Sequence, residues 1–76
     1  MYTGTIMIKN IDTAREFVDK MARFMDTEIT LQSGDYSIDA HSIIGIISLD
    51  ITKPIEVIAK GNVSDELIEI FKQYAI

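Results

Sequence analysis

Apolar and polar residues alternate with period two from Tyr2 to Lys9, Ile6 and Ile8 on one side and Thr5, Met7 and Lys9 on the other, which predicts a strand. From Ala14 the period changes. Ala14, Phe17, Val18, Met21, Ala22, Phe24 and Met25 recur at steps of three and four, the apolar stripe of a helix. Its start has two candidates, Asp12 as N-cap, or Thr13 as N-cap with Glu16 completing a capping box. Period two returns over Glu28–Gln32, Ser33-Gly34-Asp35 turns the chain, and Tyr36, Ile38 and Ala40 alternate on the way back, giving a hairpin. Ser42 then precedes Ile43-Ile44-Gly45-Ile46-Ile47-Ser48-Leu49 and reads as the N-cap of a short helix over roughly residues 43–49. Beyond the connector Asp50–Pro54, a strand turns Ile55, Val57 and Ala59 inward. Gly61-Asn62 is a turn, and Ser64 caps a last helix with Asp65 and Glu66 in its first turn. Val63 and Ile68 are spaced as a hydrophobic staple, and Leu67, Ile68, Ile70, Phe71, Tyr74 and Ala75 form a buried stripe running to the chain end.

The order β-α-β-β-α-β-α is one α+β domain over residues 1–76, without repeat or linker, in which the helices share one face of a sheet as an open-faced sandwich. The middle helix carries more apolar surface than one sheet can cover. Ile43, Ile44, Ile46, Ile47 and Leu49 span roughly 220° of its wheel, against the stripe of about 100° that a surface helix buries. Some of them should therefore face water, where an isoleucine cluster is a place for a partner.

Composition narrows the function. Cysteine is absent and there is one histidine, which excludes disulfides and thiolate metal sites and leaves zinc without a ligand set. Seven basic residues against twelve acidic ones give a net charge of −5, which opposes nucleic-acid and anionic-membrane binding. The start lacks a signal-peptide pattern and no apolar run is long enough to span a bilayer, so a soluble cytoplasmic protein without cofactor is expected.

The stretch Ile29–Leu49, ITLQSGDYSIDAHSIIGIISL, resembles the histidine-containing phosphocarrier (HPr) family of the bacterial phosphotransferase system, in which a hairpin leads into Lys-Ser-Ile-Met-Gly-Val-Met-Ser-Leu. Ser42, Ile43, Gly45, Ser48 and Leu49 match that motif, with isoleucine for the family's methionines at 44 and 47. The resemblance implies a four-stranded antiparallel sheet with the first strand beside the fourth. Met7 and Ile58 are then expected as neighbours on the open face, with weak pairing of two sheets into a homodimer as the alternative to a monomer.

The family carries its phosphoryl group on a histidine within Gly-Ile-His-Ala-Arg-Pro-Ala at the start of the first helix. Here Asn10-Ile11-Asp12-Thr13-Ala14-Arg15-Glu16 fills that place: Ile11 matches, Asp12 stands where the acceptor would be, the proline is missing and Arg15 falls one position late. A carboxylate forms an acyl phosphate, not a phosphoimidazole, so phosphoenolpyruvate-driven carriage is not expected and the chain is read as non-enzymatic. Asp12 is instead a helix-capping charge, or a fixed anion resembling a phosphorylated carrier. Arg15 is either an anion-pairing remnant or a surface charge in range of Asp19. In Gram-positive members of the family the serine matching Ser42 is phosphorylated by an ATP-dependent kinase, and the paralogue Crh keeps that serine while lacking the histidine. The resemblance thus implies a regulatory adaptor that docks a protein of sugar uptake or metabolism through Ile43, Ile44 and Ile47, with His41 and Arg15 beside them and Ser42 as the switch. Two alternatives remain open: a phosphocarrier whose acceptor has moved to His41, which otherwise reads as an exposed side chain lending positive charge to the docking surface, and an inert interaction module.

Overall fold

The computed structural model describes all 76 residues. The elements are β1 (Tyr2–Ile6), α1 (Ile11–Met21), β2 (Thr27–Ser33), β3 (Tyr36–Asp39), α2 (Ile43–Ile47), β4 (Ile55–Gly61) and α3 (Asp65–Tyr74). All strand pairs are antiparallel and the sheet order is β1-β4-β2-β3, with the first strand beside the fourth. The register places Gly4, Val57, Leu31 and Ile38 in one row and Thr3, Ile58, Thr30 and Asp39 in the next. Period two then sends the first row under the helices and the second to the open face. Gly34 turns the hairpin at φ +60°, a conformation that favours glycine.

Helices and inner strand face meet in one core. Ile6, Ile8, Ala14, Phe17, Met21, Leu31, Ile46, Ile55, Val57, Leu67 and Phe71 are all at most 1% exposed. An aromatic chain ties the layers together: Tyr2 stacks on Phe71 at 5.3 Å, Phe71 meets Phe17 at 6.4 Å, and Phe17 meets Tyr74 edge-on at 5.1 Å.

Element ends differ from the sequence expectations, and each difference has a backbone cause. Helix α1 is capped by Asn10, not by Asp12 or Thr13: the extended Asn10 accepts from the Thr13 N–H at 2.8 Å through its side chain. Lys9 at φ +79° breaks the strand pattern just before it, so β1 ends at Ile6, where the Met7 N–H turns to the Tyr74 carbonyl at 2.9 Å. Met7 and Ile58 are not neighbours, because the register sets Ile58 against Thr3 and Thr30. Helix α1 stops at Met21, leaving Met25 67% exposed. Helix α3 stops at Tyr74, where Ala75 forms a bridge to Ile6. The Ser42 and Ser64 caps form as read, accepting from the Gly45 and Leu67 N–H groups at 3.1 and 3.2 Å.

One flank of α1 is bound to α3. The Tyr74 hydroxyl donates to Glu16 Oε1 at 2.6 Å, and Lys20 Nζ donates to Glu16 at 3.3 Å and to Gln73 at 3.1 Å. The Tyr74 hydroxyl, and then Lys20, hold the Glu16 carboxyl below its ordinary value. Burial, and then the hydrogen bond to the Glu16 carboxylate, push the Tyr74 phenol up. The folded chain thus keeps the phenol proton after the unfolded chain has lost it, so stability is full below about pH 10 and falls as pH rises beyond it. For Glu16 the sign is opposite, with stabilisation lost as pH falls below about 4. Thermal unfolding across both ranges should show these two declines, and Tyr74→Phe should flatten both.

Candidate functional site

Residues Ile11, Arg15 and Val18 of α1 and its C-cap Ala22 follow one another at helical spacing, on the flank away from Glu16 and Lys20. Since the Glu16 flank is bound to α3, this one faces α2, which packs beside α1. Ile11 is 52% exposed, and α2 adds Ile44 at 75% and Ile47 at 45%. Ile46 and Leu49 are buried, and Ile43 is half-buried against the core. The expected division of the apolar helix therefore exists, but Ile43 serves mainly the interior and Ile11 joins the outer set. Ile11 escaped the sequence reading because that reading began the helix with the buried stripe at Ala14.

Helix α2 covers Ile43–Ile47, shorter than the expected 43–49, because Ser48 closes it: its N–H reaches the Ile44 and Gly45 carbonyls and its hydroxyl donates to Gly45 O at 2.6 Å. At the other end Ser42 is exposed, its Oγ on the Gly45 N–H. Gly45 permits this closeness. A Cβ there would stand 3.2 Å from Ile38 Cβ and 3.4 Å from Ser42 Oγ. Ile38 Cβ is fixed to the β3 backbone, so α2 itself would have to move. Gly45→Ala should lose about 1 kcal/mol in urea unfolding, overpacking of ~1–3 kcal/mol exceeding a helix-propensity gain of ~1 kcal/mol.

Asp12 is exposed in the first turn of α1, two residues past the cap. Arg15 is exposed, as a solvated helix charge, and forms no ion pair with Asp19. His41 departs from the expected exposed imidazole, since its side chain is only 14% exposed. Its Nδ1 lies 2.7 Å from Asp39 Oδ1, which also accepts the His41 backbone N–H at 2.9 Å, and its Nε2 lies 3.4 Å from the Phe24 carbonyl oxygen. The ring thereby joins the start of α2 to the α1–β2 loop. These bonds, the backbone one foremost, hold the Asp39 carboxyl below its ordinary value. The sequence reading missed Asp39 as the ring's partner, although Asp-x-His is the spacing at which an aspartate accepts from the backbone two residues on. Asp26, Glu28, Asp39 and His41 line one groove of about 560 Å³. No set of three or more His, Asp or Glu side chains could hold a metal ion, and no helix is long and apolar enough to cross a membrane.

Comparison with known proteins agrees with this architecture. A search of curated proteins finds no match. Among solved structures, HPr-C-His from Thermoanaerobacter tengcongensis is similar at 26% identity and TM-score 0.77, over 96% of this chain and 93% of that one. The phosphocarrier protein HPr of Bacillus anthracis str. Ames shares the fold at 23% identity and TM-score 0.78, over 99% and 96% of the two chains. So does a Mycoplasma histidine-containing phosphocarrier protein, at 19% identity and TM-score 0.77 over 95% and 89%. The family model described as "PTS HPr component phosphorylation site" matches residues 11–75. A match over that much of the chain, on a sheet and three helices of the same arrangement, makes this protein a member of the HPr family of the phosphotransferase system.

Proposed function

We propose that this HPr-family chain is a non-catalytic adaptor that docks a regulatory or metabolic protein on the Ile11, Ile44, Ile47 ridge, with phosphorylation of Ser42 as its switch. The pattern is that of a Crh-like member which keeps the serine and lacks the acceptor histidine. The observation that carries the reading is the pairing of two solvent-facing isoleucines on α2 with an exposed serine hydroxyl at the same helix's cap. A phosphate on Ser42 would set about two negative charges beside the unpaired N–H groups of the first turn and change the electrostatics of the ridge without melting α2. Asp12 in the first turn of α1 gives that helix a permanent carboxylate where the family resemblance calls for an imidazole.

The displaced-acceptor reading has one feature in its favour. Asp39 fixes a ring nitrogen of His41, as a carboxylate does for a working imidazole. Against it, the second nitrogen faces the Phe24 carbonyl and the adjoining groove carries Asp26, Glu28 and Asp39, which would repel a phosphoryl dianion.

Intact-mass analysis separates the readings. Incubation with an HPr kinase and ATP should add one phosphate to the wild type and none to Ser42→Ala, while phosphoenolpyruvate with the general phosphotransferase enzymes adds none. Acid-labile label on His41 would sink the adaptor reading, and an unmodified Ser42 would remove its switch.

A further inference from the structure

We infer that the groove between the hairpin tip and the α2–β4 connection takes an arginine side chain of the docked partner, so that the ridge selects a basic protein segment; this rests on the docking reading above. The groove measures about 460 Å³ and is lined by Asp35 and Tyr36 from the hairpin and by Ser48, Leu49, Asp50 and Lys53 from the connection. It begins where the ridge ends, since Ser48 follows Ile47 directly.

Three observations point to a guanidinium. Tyr36 is 71% exposed and its ring meets no other ring and no cation, whereas Tyr2 stacks on Phe71 and Tyr74 lies against Phe17 and under Lys20. A free aromatic face is a seat for a cation, and arginine stacks on it best while still donating in plane. Asp50 is held in place: its Oδ1 accepts from the Thr52 N–H and hydroxyl, which keep the carboxyl charged, and its Oδ2 is left to Lys53 at 3.8 Å. That i,i+3 pair is long and exposed, so it is weak and displaceable. The chain's charge supplies the third observation. Lys20, Arg23, Lys53 and Lys72 are already in ion pairs and Lys60 sits opposite Glu28, and the two remaining cations, Lys9 and Arg15, do not line this groove, while twelve acidic residues leave the surface negative overall. The complementary partner is therefore basic. A phosphate on Ser42 would extend that preference, because five helical residues separate it from the groove by only about 8 Å of axial rise.

The test titrates the isotope-labelled full chain at low salt with the peptide acetyl-Leu-Arg-Leu-amide and with its isosteric citrulline counterpart, which lacks the charge. The arginine peptide should shift the Tyr36 ring and the amides of Tyr36, Ser48, Leu49 and Asp50, and the citrulline peptide should not. Tyr36→Ala and Asp50→Asn should each weaken binding ~5-fold or more, equivalent to about 1 kcal/mol, while Lys53→Ala tightens it. Equal response to both peptides, or arginine-dependent shifts confined to another face, would overturn the proposal. The ridge is read separately, through Ile47→Asp and kinase turnover. An intact ridge without an arginine response removes the groove alone, and an arginine response with a kinase indifferent to Ile47 leaves the groove standing and removes the ridge.

Discussion

Ile47→Asp should lower the kcat/KM of HPr kinase on this protein by ~30-fold or more, the loss expected when a central interface anchor worth about 2 kcal/mol is replaced by a charge. On the proposed reading a kinase sits against α2 to reach the Ser42 hydroxyl, and Ile47 lies on the same short helix with 45% of its surface in water. An aspartate there would have to be desolvated on docking without a partner for its charge. Folding should survive, because Ile46 and Leu49, not Ile47, carry the contacts of this segment with the core. Circular dichroism identical to wild type together with unchanged turnover would show that the ridge is not where proteins bind.

Phe71→Ala should have the largest effect on stability, a loss of ~3–5 kcal/mol. Phe71 is fully buried and joins Tyr2 of β1 to Phe17 of α1, so its removal opens a cavity at the meeting point of three elements. For a chain of 76 residues each kcal/mol moves the midpoint by roughly 4–8 °C, so the melting temperature should fall by at least ~12 °C. Ile44→Ala is the control. At 75% exposure it should change stability by less than ~0.5 kcal/mol while weakening kinase capture. A Phe71→Ala variant as stable as Ile44→Ala would mean that the aromatic chain does not hold the layers together.

Periodicity, with the Ser42 cap for the middle helix, determined the seven elements and their order, because alternation and three-to-four spacing are direct records of which face each residue turns to the core. It also identified both serine caps, whose hydroxyls bond within three residues of themselves and need no distant partner. That the middle helix could not hide all its isoleucines followed from counting apolar arc. Which ones stay out was decided by the tertiary structure, since only the packing of α2 beside α1 and over the sheet sends Ile43 and Ile46 inward and leaves Ile44 and Ile47 in water. Cap choice at α1 was likewise settled by the backbone turn at Lys9, which moved the helix start to Asn10 and brought Ile11 into the ridge. The setting of His41 came from pairing strands and folding the α1–β2 loop, which brought the Phe24 carbonyl, seventeen residues away in sequence, to the ring. Local chemistry is written within a few neighbouring residues, whereas a surface is written by everything packed behind it, and this protein's candidate sites belong to the second kind.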